Sequence, residues 1–288
     1  MNQYYRTEPV NVYRFDDEDA PPLNGNPDSL LTILKACLVT GYGKQKPLGF
    51  SLAFEDEHVK VFCPKPRGLE PQWFLRASDD NGASARLQIY LDMTGINDGR
   101  IMCAPQTPYK YSNKNRTGEW LLVGSSRGFV FFAVCGYTDA INKGSFCVCG
   151  DSSKNAKGER AVYLHHTGGS WSDSDIYGIR PPTFDTSTHI AGCLARVDQN
   201  NNFVVRNVYA SCALGAGLET VETHLAPLYV ADSESVYLIA GVYLSSNTHA
   251  ANSYDTVKHD DAQFIVHASS GRERCHEQLY VRTDFWYY

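Results

Sequence analysis

The sequence predicts a mainly β protein, sandwich- or barrel-like or α+β in arrangement, with one clear amphipathic helix near its N-terminus. Three observations carry this. Short apolar or alternating runs recur between clusters of Gly, Asn, Asp and Pro, the pattern of strands joined by turns. One segment alone keeps a long helical period. Finally, 43% apolar residues, with aromatics making up 12% of the chain, against 20% charged residues give a chain of 288 residues enough apolar surface for a packed core.

Residues 1–23 read as an extended acidic and aromatic arm. Glu8, Asp16, Asp17, Glu18 and Asp19 face only Arg6 and Arg14 there, which is half of the net charge of −6, and the arm ends at Pro21-Pro22. Tyr4, Tyr5, Tyr13 and Phe15 are too apolar to favour a solvated tail, so the arm is expected to dock on a partner. The helix follows over residues 27–39. Asn26 can cap it, Pro27 fits the first turn where its missing N–H costs nothing, and Asp28 complements the dipole. Leu30, Leu31, Ile33, Leu34, Cys37 and Leu38 form one apolar stripe, and Gly41 or Gly43 ends the helix.

Strands are expected at 50–54, 58–62, 73–77, 86–91, 120–123, 129–134, 146–149, 161–165, 203–209, 228–230, 235–244, 264–268 and 278–282. Asn81-Gly82 favours a reversal between the third and fourth, and Gly124–Gly128 supplies a second hairpin turn. No internal repeat is evident. A β-rich domain over 24–150 is expected to contain the helix. Loop-like composition at 151–157 and 170–182 makes 151–288 either a second β-rich part or a continuation of one domain.

Several function classes are disfavoured. The longest apolar stretch, Val236 to Leu244, has nine residues and contains Gly241, far short of the ~20 that span a bilayer. The N-terminus lacks the basic tip and apolar core of a signal peptide, so synthesis in the cytoplasm is expected. An acidic balance argues against direct nucleic-acid binding, which needs a basic face. The nine cysteines (Cys37, Cys63, Cys103, Cys135, Cys147, Cys149, Cys193, Cys212 and Cys275) include no C-x-x-C pair, and the default for them is reduced, buried thiols. Whether any of them cross-links subunits is left open.

Chemistry-bearing strings are weak. Gly124-Ser125-Ser126-Arg127-Gly128 matches G-x-S-x-G, but that motif needs a strand–turn–helix, and Phe129-Val130-Phe131-Phe132 reads as strand. Cys147-Val148-Cys149 near His165-His166 is a poor metal set, because adjacent strand residues face opposite sides. Cys275-His276-Glu277 and Lys258-His259-Asp260-Asp261 read as polar edges or turns, and Gly41-Tyr42-Gly43 lacks the Lys-Ser/Thr of a phosphate loop. No catalytic, cofactor or metal residue is therefore assigned. Asp284-Phe285-Trp286-Tyr287-Tyr288 is more informative: four terminal aromatics close the chain's own core or enter a neighbouring subunit. The interface candidates are Tyr4, Tyr5, Tyr13, Phe15, Phe285, Trp286, Tyr287 and Tyr288.

Pro22-Leu23-Asn24-Gly25-Asn26-Pro27-Asp28-Ser29-Leu30, then Ala36-Cys37-Leu38-Val39-Thr40-Gly41-Tyr42-Gly43, then Leu48-Gly49-Phe50 resemble a recurring string in structural proteins of tailed-bacteriophage virions. Phe74-Leu75-Arg76 with Asp79-Asp80, Ala85-Arg86, Tyr90 with Met93-Thr94, and Trp120–Gly124 with Phe129–Phe132 are similar too. The resemblance covers about residues 22–135, and Lys35 departs from the acidic residue common there. It implies a non-enzymatic virion component of neck, tail or baseplate, assembled in the host cytoplasm. Its implied partners are portal, connector, tail or baseplate proteins and further copies of itself in a symmetric homo-oligomer. No membrane or cofactor is implied. The alternative is a receptor- or glycan-binding module on the virion surface, using Trp73, Trp171 or Tyr177 as stacking platforms. A hydrolase of the host envelope is the third reading, and it needs a paired carboxylate or activated serine that the sequence does not present.

Overall fold

Strand-forming runs set the architecture. The computed structural model describes residues 6–66, 72–80, 82, 84–102, 110, 114–137, 141–153, 161–167, 192–197, 203–211, 225–231, 235–245, 254–268 and 278–288. β1 (Thr7–Pro9) and β2 (Asn11–Arg14) precede helix α1 (Ser29–Lys35), which runs on into a π turn, Ala36–Thr40. β3 (Ser51–Asp56), β4 (Val59–Cys63), β5 (Phe74–Ser78), β6 (Arg86–Met93) and β7 (Gly99–Ile101) form an antiparallel sheet in sequence order.

The larger sheet has twelve strands. It is built from β8 (Glu119–Ser125), β9 (Gly128–Tyr137), β10 (Ile141–Asp151), β11 (Ala161–Thr167), β12 (Gly192–Val197), β13 (Phe203–Ser211), β14 (Ala226–Ala231), β15 (Val236–Ser245), β16 (Thr256–His259), β17 (Ala262–Ala268) and β18 (Gln278–Arg282), with β2 at one edge. Its order is β16-β17-β18-β15-β14-β13-β12-β11-β10-β9-β8-β2. The last strand, β19 (Phe285–Tyr287), pairs with β1 in a separate ribbon.

The protein is thus mainly β, with one short helix among the described residues. Three layers result, because β8 to β11 are covered on both faces. Trp120 and Leu122 share a core with Leu30, Ile33 and Leu34 of α1 and with Leu75 and Ile89 of the smaller sheet. Their neighbours Leu121 and Val123 share a second core with Leu228, Val242, Ile265 and Leu279. Burial on both faces is why these strands read as unbroken apolar runs rather than alternating ones. The boundary expected near 150 falls at the end of β10, which pairs with β11 from Phe146↔Thr167 to Asp151↔Val162, so the sheet runs through it.

Residues 7–14 are not a detached arm. β1 is zipped to β19 from Thr7↔Tyr287 to Pro9↔Phe285, and β2 to β8 from Asn11↔Gly124 to Arg14↔Leu121. Of the aromatics anticipated for a partner, Tyr13, Trp286 and Tyr288 help to close the chain on itself. The acidic turn that follows has an internal use, since Asp17 Oδ2 accepts from the Arg14 N–H (2.9 Å), the Tyr42 hydroxyl (2.8 Å) and the Gln45 amide (3.0 Å). This explains the Gly41-Tyr42-Gly43 string. Gly43 takes a φ of 49°, and a Cβ there would sit 2.4 Å from the Glu18 carbonyl oxygen.

The helix start also differs from expectation. Asp28, not Asn26, precedes it, at a φ of 66° and without a side-chain cap bond. The cap comes from far along the chain instead: Asp79 Oδ2 accepts the Leu30 N–H at 3.0 Å. Asn26 turns its side chain to the Lys114 carbonyl (3.2 Å).

One glycine is indispensable to the second core. Gly241 has a φ of 70°, and a Cβ on it would lie 2.0 Å from Trp286 Nε1. Gly241→Ala is expected to push the indole out of its seat and to lower stability by about 1–3 kcal/mol. Thermal or denaturant unfolding checks this, and an unchanged midpoint would refute the packing argument.

Candidate functional site

Three constellations of side chains stand out. The first is a buried polar knot beneath the chain-end ribbon. The β8–β9 turn places Arg127 so that its guanidinium meets the carboxylate of Asp151, with both side chains almost fully buried. Asp151 Oδ1 also accepts the Trp73 indole N–H at 2.8 Å, and Arg127 Nη1 donates to the Lys65 carbonyl at 3.1 Å. Next to it the hydroxyls of Ser125 and Tyr288 share a hydrogen bond of 2.7 Å, and Ser126 donates to Glu8 Oε2 at 3.1 Å. Burial pushes the Tyr288 phenol well above its ordinary range, so it stays protonated. The G-x-S-x-G serine, Ser126, lies in a strand-to-strand turn as expected and faces a carboxylate. The knot ties the two chain ends to the sheet; it is not laid out as a nucleophile and base.

The second constellation lies at the helix start. Lys110 and Asp79 form an ion pair with no exposed side-chain surface on either partner. Lys110 also donates to the Asn26 carbonyl and to Ser29 Oγ (3.1 Å). Asp28 adjoins them and holds His58 Nδ1 at 2.7 Å through Oδ2.

The third is on the surface. In the ribbon, the period of two turns Trp286 inward opposite Glu8, and turns Phe285 and Tyr287 outward beside Pro9 and Thr7. The Arg282 guanidinium lies 3.8 Å from the Phe285 ring centre and 5.5 Å from that of Tyr287. The two rings meet edge to face at 5.0 Å. Asp284 grips Arg282 at 2.5 and 3.0 Å, which holds the Asp284 carboxyl below the usual carboxylate range. Tyr287 is 40% exposed, and Val236 (52%) and Leu238 (39%) of β15 are exposed too.

Of the interface candidates, then, Phe285 and Tyr287 form part of a surface shelf. Tyr13, Trp286 and Tyr288 are buried within the chain itself, a correction with a plain cause: strand pairing directs them inward. Tyr13 donates its hydroxyl to the Lys46 carbonyl at 2.6 Å. Phe15 is 36% exposed and lies against Tyr254 at 6.3 Å. Tyr4 and Tyr5 are outside the described residues, as are Trp171 and Tyr177. Trp73 is fully buried, so it cannot serve as a stacking platform.

Cys37, Cys63, Cys147 and Cys149 are free and buried. Burial pushes the Cys147 thiol up to about 12 and those of Cys37 and Cys149 well above the ordinary value, so all three stay protonated. Cys103, Cys212 and Cys275 lie outside the described residues, with His189, His224, His249 and His276. Among the described residues no group of His, Cys, Asp or Glu is placed to hold a metal ion, and no helix is long and apolar enough to cross a membrane. Sequence reasoning missed Arg127, Asp151, Lys110, Asp79 and Arg282. Only Arg282 carried a local signal, the Arg-x-Asp spacing before an aromatic strand. Comparison with known proteins gives no match, either to a family model or to a curated protein.

Proposed function

We propose that this chain is a non-enzymatic structural subunit of a tailed-phage virion, in the neck, tail or baseplate, acting as a symmetric homo-oligomer through its surfaces. The observation that carries this reading is the Arg282–Phe285–Tyr287 shelf. Aromatic and arginine side chains dominate binding energy at interfaces. Here they are held in one arrangement by Asp284 and the ribbon, so little conformational freedom is lost on docking. The resemblance read over residues 22–135 supports this setting. These residues build the helix, the smaller sheet and the β8–β9 hairpin, whose turn holds the chain ends through Ser126 to Glu8 and Ser125 to Tyr288.

The test has two arms. Mass spectrometry of purified particles should find the chain, and sizing of the purified protein should find an oligomer. Phe285→Ala with Tyr287→Ala should weaken self-assembly by about thirtyfold or more while leaving the unfolding midpoint nearly unchanged. A chain missing from the particles, or an oligomer indifferent to both changes, overturns the reading.

A further inference from the structure

We infer that Lys110 and Asp79 are the partners of an intramolecular amide cross-link, Lys110 Nζ to Asp79 Cγ, which the folded chain forms on itself. The chemistry requires an amine nucleophile, a neutral carboxylic acid, a donor for the developing oxyanion and a group to move protons. The site provides each. Both side chains have no exposed surface and touch one another. Nζ donates to the Asn26 carbonyl and to Ser29 Oγ, and these contacts hold it against Asp79.

Asp79 is clamped as an electrophile. Its backbone N–H donates to the His58 carbonyl at 3.0 Å, and its carbonyl accepts the Asp28 N–H at 3.0 Å. Its Oδ2 accepts the Leu30 N–H at 3.0 Å, so charge that develops on Oδ2 during attack meets a donor already in place. Burial favours the reactive forms on both sides. Desolvation raises the Asp79 carboxyl and lowers the Lys110 ammonium, in each case outweighing the partner's attraction. Both shifts favour the neutral pair, acid and amine, over the ion pair.

A second carboxyl completes the set. Asp28 acts electrostatically on both partners. Its Oδ2 is held by His58 at 2.7 Å, and its Oδ1 is buried without a hydrogen-bond partner among the described residues. Asp28 takes the proton that Nζ sheds on attack and delivers it to the departing Oδ1 hydroxyl. The Cγ–Nζ bond forms, the Cγ–Oδ1 bond breaks, and one water leaves. Oδ2 becomes the amide oxygen, still on the Leu30 N–H, and nothing is oxidised or reduced. The product staples residue 110 to the turn after β5 at the point where α1 begins.

Intact mass spectrometry of the full-length, denatured protein tests this. The expected mass is one water below that of the sequence, with a branched proteolytic peptide joining the segments around Asp79 and Lys110. The full sequence mass would overturn the inference and leave an ion pair. Lys110→Arg keeps the charge but cannot form the link, so it should restore the full mass; a deficit that persisted would place the water loss elsewhere and also overturn it. Asp28→Asn should fold by circular dichroism yet carry the full mass, and a deficit retained there would refute the proton-moving role of Asp28.

Discussion

Arg127→Ala is expected to lower stability by about 3–5 kcal/mol, the largest single effect foreseen for this chain. The guanidinium is 3% exposed and its Asp151 partner 8%, so the substitution leaves a carboxylate deep in the protein without its counter-charge. Asp151 cannot swing to water, because its Oδ1 is held by the Trp73 indole at 2.8 Å and its backbone N–H by the Arg127 carbonyl at 3.1 Å. The loss should extend to the chain ends. Ser125 and Ser126 flank Arg127 and bond Tyr288 and Glu8, so the ribbon is seated on the same turn. A double-mutant cycle isolates the pair: Arg127→Ala should cost far less in an Asp151→Ala background than in the wild type. Denaturant unfolding measures both, and a wild-type loss below about 1 kcal/mol would show that the pair adds no more than an exposed one.

The same turn shows how far the sequence could be read. Gly124 and Gly128 around three polar residues mark a reversal between two apolar runs, and that local signal was enough to place β8 and β9 and to set aside a hydrolase motif. Nothing local marks Asp151 as the partner of Arg127, because the pairing depends on β10 lying beside β9, and register is a property of the whole sheet. The helix cap fails for the same reason. Asn26, Pro27 and Asp28 are a sound local start signal, yet Asp79, brought in by the turn after β5, takes the capping role. The arm misled in the opposite direction. It read as an arm that docks on a partner, but Asp17 binds the Gly41-Tyr42-Gly43 loop, and only three or four residues in each of β1 and β2 carry too little periodicity to announce a strand. At the C-terminus the aromatic run was legible as buried mass. The division of it into an inward Trp286 and an outward Phe285 and Tyr287 needed the pairing with β1.

His267 should make the fold acid-sensitive in a window set by a single buried ring. It lies on β17, stacked on Phe132 of β9 at 4.5 Å with an interplanar angle of 11°, and so bridges the middle layer and the outer half of the large sheet. Tyr254 meets it edge-on at 6.4 Å, and Arg14 in turn lies 5.9 Å from the centre of the Tyr254 ring. Burial in this aromatic setting pushes the imidazole down to about 4, from an ordinary 6.5. The sign follows directly. Between those values the unfolded chain holds a proton that the folded chain refuses, so acid favours unfolding. The stabilisation is complete above about pH 6.5, declines as the pH falls, and by pH 4 has diminished by about 3 kcal/mol. His267→Phe keeps the stack and removes the titration, so the difference in unfolding free energy between variant and wild type should widen by that amount from pH 7 to pH 4. Carboxylates held low by basic partners, such as Glu55, Asp92 and Asp284, lose their contribution at lower pH and are common to both proteins, so they cancel. Parallel stability curves for the two would mean that His267 is protonated in the folded state, and that the Phe132 stack carries a charged ring.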